Sequence, residues 1–226
     1  MSASVLFHFS FDPGSRAVRL ALGEARIEWT EVLVRPWEAD CPLHDLNPSG
    51  MPPVLQVAGP PPLTLCETAA ILGWIEDQQK SPLLMPSDAA ERAEVRRLTA
   101  WFDRRFTDEV NAVLLHERME KPLLRLGPPE ARMLREGRDA LKHHLAVFEG
   151  LLSGRDWMAG HRLSQADIVA AAHLSILDYF GEIPWASWPA LKTWYMKIKS
   201  RPCFRPLLAD RFQGLAPAAC YADLDF

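Results

Sequence analysis

Val54-Leu55-Gln56-Val57, then Ala58-Gly59-Pro60-Pro61-Pro62, then Leu63-Thr64-Leu65-Cys66, then an unbroken run from Glu67 to Gln78: this order decides the fold. Both short runs are apolar and strand-forming. The glycine and three prolines between them cannot continue a strand, so the pair reads as a hairpin. After Cys66 the apolar residues change period to Ile71, Trp74 and Ile75, which is helical spacing. Upstream, Ser4 to Phe9 reads as a strand, Pro13 to Gly23 as a helix through Val18, Ala21 and Leu22, and Thr30 to Val34 as a second strand. A βαβ unit followed by ββα builds a small mixed sheet with helices on its faces.

This α/β unit is expected to occupy residues 1–80. Pro82 and Pro86 then mark a linker over 81–87. From Asp88 the apolar residues Val95, Leu98, Phe102, Phe106, Val110 and Val113 recur every three or four positions, and Met133, Gly137, Leu141, Leu145, Phe148 and Leu152 repeat the pattern. An all-α bundle over 88–212 follows, centred on Ala166 to Phe180, which is apolar on nearly every side, with a tail over 213–226. Ser164-Gln165-Ala166-Asp167 reads as a capping box that starts the central helix.

Composition narrows the function classes. Hydrophobic residues make up 48% and charged residues 24% of the chain, as in globular domains, and a formal charge of −4 argues against a nucleic-acid partner. No apolar run is long enough to cross a bilayer and no leader precedes the first strand, so a cytoplasmic protein without direct membrane insertion is expected. Cys41, Cys66, Cys203 and Cys220 lack metal-type spacing and read as reduced thiols. His143 and His144 point about 100° apart on a helix, the other histidines are isolated, and no metal site is expected.

Several motifs together resemble the glutathione transferases. Phe11 to Leu20 is similar to their first turn and helix; Asn47-Pro48-Ser49-Gly50-Met51-Pro52-Pro53-Val54-Leu55 to their cis-proline loop; Cys66-Glu67-Thr68-Ala69-Ala70-Ile71 to the segment that holds the γ-glutamyl end of glutathione. Trp157-Met158-Ala159-Gly160 and Leu163 to Asp167 are similar to the capping segment of the helical domain. The resemblance covers essentially the whole chain and implies a thioredoxin-like N-terminal domain followed by an all-α C-terminal domain.

It does not by itself carry the reaction. A transferase must lower the glutathione thiol pKa by one to two units, roughly 1.4 to 3 kcal/mol. Family members use a Ser, Tyr or Cys just after the first strand. The matching residue here is Asp12, which when ionised has no hydrogen to donate and repels a thiolate. Asp12 before Pro13 also reads as an ordinary helix cap.

The residue before the family's cis-proline offers glutathione a backbone N–H, yet here it is Pro52, ahead of Pro53. That omission costs about 1 to 3 kcal/mol of ligand affinity. Glu67 and Thr68 remain for a γ-glutamyl group. A degenerate site with no cofactor is therefore expected. The alternative is a glutathione transferase or peroxidase that activates glutathione with Ser10 or Ser15.

Other residues exceed the needs of folding. Trp37, in the polar stretch Arg35 to Asp40, is either an interface anchor or a cover over the cleft or dimer contact. Arg118, Lys121, Leu124 and Arg125 mix basic and apolar character in a segment expected to join two helices, and Asp223, Asp225 and Phe226 end the chain. Trp101 to Phe106, Leu177 to Trp185 and Tyr221 to Phe226 resemble an alphaproteobacterial branch of the family. That resemblance implies a homodimer that binds filaments of the tubulin-like division protein FtsZ at the division site and promotes their curvature or bundling, without glutathione-dependent catalysis.

Overall fold

The computed structural model describes residues 4–224. β1 (Ser4–His8), α1 (Pro13–Ala25) and β2 (Trp29–Leu33) form a parallel crossover; α2 (Leu43–Leu46) leads to β3 (Val54–Val57) and β4 (Leu63–Cys66), an antiparallel hairpin, and α3 (Thr68–Asp77) closes the unit. The strand order is β2-β1-β3-β4, with β3 antiparallel to β1 in the register Leu6 to Leu55. The hairpin ends where the change of periodicity placed it. Pro52–Pro53 and Pro60–Pro61 are cis peptides.

Helices follow. α4 (Ala89–Ala100) runs without a break through wide π-type turns over Trp101–Asn111 into α5 (Ala112–Leu115), a second wide stretch over His116–Glu120, and α6 (Lys121–Leu124). α7 (Ala131–Leu152) returns along it, α8 (Gln165–Tyr179) is buried along its whole length, and α9 (Pro189–Lys199) and α10 (Arg205–Ala209) cover its far side. The wide turns rotate the helix surface, so Leu114 rather than Val113 is fully buried. In α7 the first buried apolar residue is Leu134 rather than Met133.

α8 starts at the expected capping box. Asp167 accepts the backbone N–H of Ser164 at 2.9 Å and its hydroxyl at 2.8 Å, and also the Met158 N–H at 2.7 Å and the Trp194 indole N–H at 2.9 Å. Burial pushes its pKa up against those four donations.

Buried charge joins sheet and bundle. Fully buried Arg16 donates to the Ser10 carbonyl at 2.7 Å, to the Ser175 hydroxyl at 2.8 Å and to Asp210 at 3.5 Å. Arg19 donates to Asp210 at 2.7 and 3.3 Å and to Glu31 at 2.9 Å. These links press α1 against α8 and fix the cleft between the two layers.

The tail also docks. Tyr221 is fully buried and donates its hydroxyl to the Leu207 carbonyl at 2.7 Å, and Lys199, beside Asp178 at 3.4 Å, donates to the Cys220 carbonyl at 2.7 Å. Among the described residues, no helix is long and apolar enough to cross a membrane.

Candidate functional site

A cleft of about 780 Å³ opens between the sheet and the α4–α6 helix. From the first layer come Phe9, Asp12, Gly14, Trp37, Pro52, Glu67 and Thr68. The helix supplies Asp103, Thr107, Asn111, Leu115, Met119 and Leu123, at four-residue intervals, so one stripe changes from polar to apolar along its length.

Asp12 caps α1. Its carboxylate accepts the Ser15 N–H at 2.6 Å. The positive end of a helix can hold an anion, but here the chain's own carboxylate already occupies it. Burial raises the Asp12 pKa to about 6, opposed by the donations from Ser15. The stability this group contributes is thus complete below about pH 4 and is lost as pH rises through about 6. Urea unfolding of the parent and of Asp12→Asn should show the difference moving against the parent between pH 4.5 and 7.5; a pH-independent difference would show that the group does not titrate there.

Pro52 lies in the cleft wall, and as an imide it presents no N–H. Glu67 holds φ at 71°, a left-handed value costing a non-glycine residue about 1 kcal/mol or more. Its carboxylate accepts the Ser49 hydroxyl at 3.4 Å. Thr68 is the first residue of α3, with Glu67 in the cap position. A Cβ at Gly14 would run into the Thr68 hydroxyl and stand 3.1 Å from Pro53 Cδ, so glycine lets α1, the cis-proline loop and α3 converge here.

The fallback serines lie elsewhere. Ser15 is fully buried, with its hydroxyl accepting the Phe9 N–H at 3.3 Å. Ser10 lies in an adjoining recess beside Cys41 and Phe212.

Among the surface candidates, Trp37 stacks edge-on to Phe9 at 5.2 Å and is 39% exposed, while Leu124 is 41% exposed; both sit at the cleft mouth, and Arg125 is exposed beside them. Arg118 and Lys121 do not face outward as a connecting loop would. They belong to the helix, where Arg118 donates to Glu182 at 2.6 Å and Lys121 reaches Glu117 at 2.8 Å and Glu130 at 3.0 Å. Glu117 and Glu182 are buried, and a buried carboxylate requires a cation. Asp223 is exposed, within electrostatic reach of Lys199. Asp225 and Phe226 lie outside the described residues.

Two histidines, His144 and the one expected to be isolated, His173, are built into networks. His144 is buried, takes the Trp101 indole N–H at 2.9 Å and meets Glu109 at 2.9 Å. His173 forms the cleft floor, 2.7 Å from the Asn111 amide and 4.0 Å from Asp103. Burial lowers the His173 pKa to about 3 and raises that of Asp103 to about 6. The only local sign of this group in the sequence is Asp103, Thr107 and Asn111 repeating on one helix face.

Comparison with known proteins agrees with this architecture. The glutathione S-transferase N-terminal domain model matches residues 13–78, and the glutathione S-transferase C-terminal domain model matches residues 114–202. The chain belongs to the glutathione S-transferase family. Within it, FtsZ-localized protein A of Caulobacter vibrioides is 60% identical over 222 residues, 98% of this chain and 97% of that protein. The structure of FzlA from C. crescentus superposes with a TM-score of 0.96 at 58% identity, covering 100% of both chains. A glutathione S-transferase from Rhodospirillum rubrum superposes at 0.94 with 42% identity, covering 99% of this chain and 100% of that one. Within the glutathione S-transferase fold, then, the cleft keeps its cis-proline and Glu67-Thr68 frame, while a carboxylate and an imide nitrogen stand at Asp12 and Pro52.

Proposed function

We propose that this chain is a cell-division protein that associates with FtsZ filaments at the division site, as a homodimer, and organises them without turning over glutathione. The observation that carries the reading is its 60% identity, over 98% of its length, to FtsZ-localized protein A. The cleft supports it, since Asp12 holds the α1 N-terminus and neither Ser10 nor Ser15 lines the cavity. A twofold dimer presents each patch twice, and two modest contacts on one polymer gain strength through effective concentration. That is the property a bundling or curving protein needs.

The contact surface is assigned to the cleft mouth at Trp37, Leu124 and Arg125, together with the tail residues Asp223, Asp225 and Phe226. Arg118 and Lys121 act in it only by holding the helix in place. Co-sedimentation with polymerised FtsZ tests both partner and surface. The parent should pellet with polymer and not with unpolymerised FtsZ. Trp37→Ala should weaken the association about tenfold, with smaller losses for Leu124→Ala and Asp225→Lys. A parent that stays in the supernatant rejects the partner; three variants that pellet like the parent reject the surface.

A further inference from the structure

The inner wall of the cleft has a chemistry that neither the filament reading nor glutathione explains. Its lining carries four carboxylates, Asp12, Glu67, Asp103 and Glu120, and among the described residues no lysine or arginine. Three of these are engaged: Asp12 at the α1 N-terminus, Glu67 with Ser49, and Glu120 with His116 at 2.8 Å. Asp103 differs. Its ion-pair partner is the His173 ring nitrogen at 4.0 Å, beyond hydrogen-bond reach, and burial raises its pKa to about 6.

Beside it, Asn111 is only 4% exposed and its side-chain oxygen has no hydrogen-bond partner. A buried amide oxygen left unpaired costs about 1 to 3 kcal/mol, so Asn111 is an acceptor lacking a donor, while the Asp103 carboxylate, 35% exposed, stands open to the cavity. The rest of the cavity, through Phe9, Trp37, Leu115 and Met119, is apolar and aromatic. Such walls suit alkyl chains and the faces of cations.

We propose that the cleft binds an organic amine in its ammonium form, with the ammonium group on Asp103, the Asn111 oxygen as a further acceptor, and the apolar body against Trp37, Leu115 and Met119. Glutathione brings two carboxylates that meet like charge along this wall, and its single ammonium sits on a polar body that gains little from the apolar surface. The inference goes beyond filament association and does not depend on it.

Calorimetric titration at pH 7.5 with hexylammonium, hexan-1-ol and hexanoate separates charge from apolar burial, because the three share one alkyl chain. The ammonium should bind about ten- to a hundredfold more tightly than the alcohol, the margin of a charge-assisted hydrogen bond in a partly dry site, and hexanoate should bind least. Asp103→Asn should bring the amine to the level of the alcohol, while Asp108→Asn, one turn on and outside the cleft, should leave the ranking intact. Asp103 is partly exposed, so its variant should fold; an unchanged thermal transition checks this. The proposal fails if the alcohol or hexanoate matches the amine in the parent, if no amine binding is measurable at millimolar concentration, or if a folded Asp103→Asn holds the amine as before.

Discussion

Asp167→Ala should lower the unfolding free energy by about 3 to 5 kcal/mol, far more than the loss of a helix cap. The carboxylate is fully buried and accepts from Met158, from both the N–H and the hydroxyl of Ser164, and from Trp194. Truncation strands the donors in an apolar interior at about 1 to 3 kcal/mol each, offset in part by removing a carboxylate whose burial disfavours its charge. Cap loss alone costs about 1 kcal/mol, so a urea midpoint shift corresponding to that value or less would mean that the extra donors find other partners. Asp167→Asn should fall between, because one amide oxygen can still accept while its NH2 group faces the Ser164 N–H.

Asp210→Ala should cost about 3 kcal/mol and loosen the cleft as well. Asp210 is the carboxylate shared by Arg16 and Arg19, and Arg19 keeps Glu31 when it is removed. Arg16 keeps the neutral Ser10 carbonyl, the Ser175 and Tyr221 hydroxyls and the Phe11 ring 4.8 Å from its guanidinium carbon. A buried cation is then left without an anion, four residues from the Asp12 cap. Adding Arg19→Met should cost less in the Asp210→Ala background than in the parent, and a double-mutant cycle on denaturant midpoints reads that coupling. Strict additivity would show that Asp210 and Arg19 are not coupled.

The parts of the molecule legible in the sequence are those settled by local chemistry. Gly59 and the prolines after it leave Val54–Val57 and Leu63–Cys66 no arrangement except a hairpin, and the structure has those bounds. Asp12 ahead of Pro13 announces a helix cap, and the missing N–H at Pro52 follows from residue type alone. Partnerships across long sequence separations were not legible. Glu182 lies 64 residues from Arg118, and although Glu117 is only one turn from Lys121, nothing local shows that it is buried, so two structural ion pairs read as a surface. His173 read as isolated because its partner Asn111 lies 62 residues away. The wide turns that bring Asp103, Thr107 and Asn111 onto one face depart from the 3.6-residue period by which helices are recognised.

The account depends most on the loss of thiol activation in the cleft. Conjugation of glutathione to an aryl halide, followed at pH 7.5 over a range of glutathione concentrations, addresses it directly. The rate should equal that of the uncatalysed mixture at every concentration, because Asp12 repels the thiolate and Pro52 offers it no N–H. Saturable turnover at micromolar glutathione would contradict this and return the chain to the catalytic members of its family.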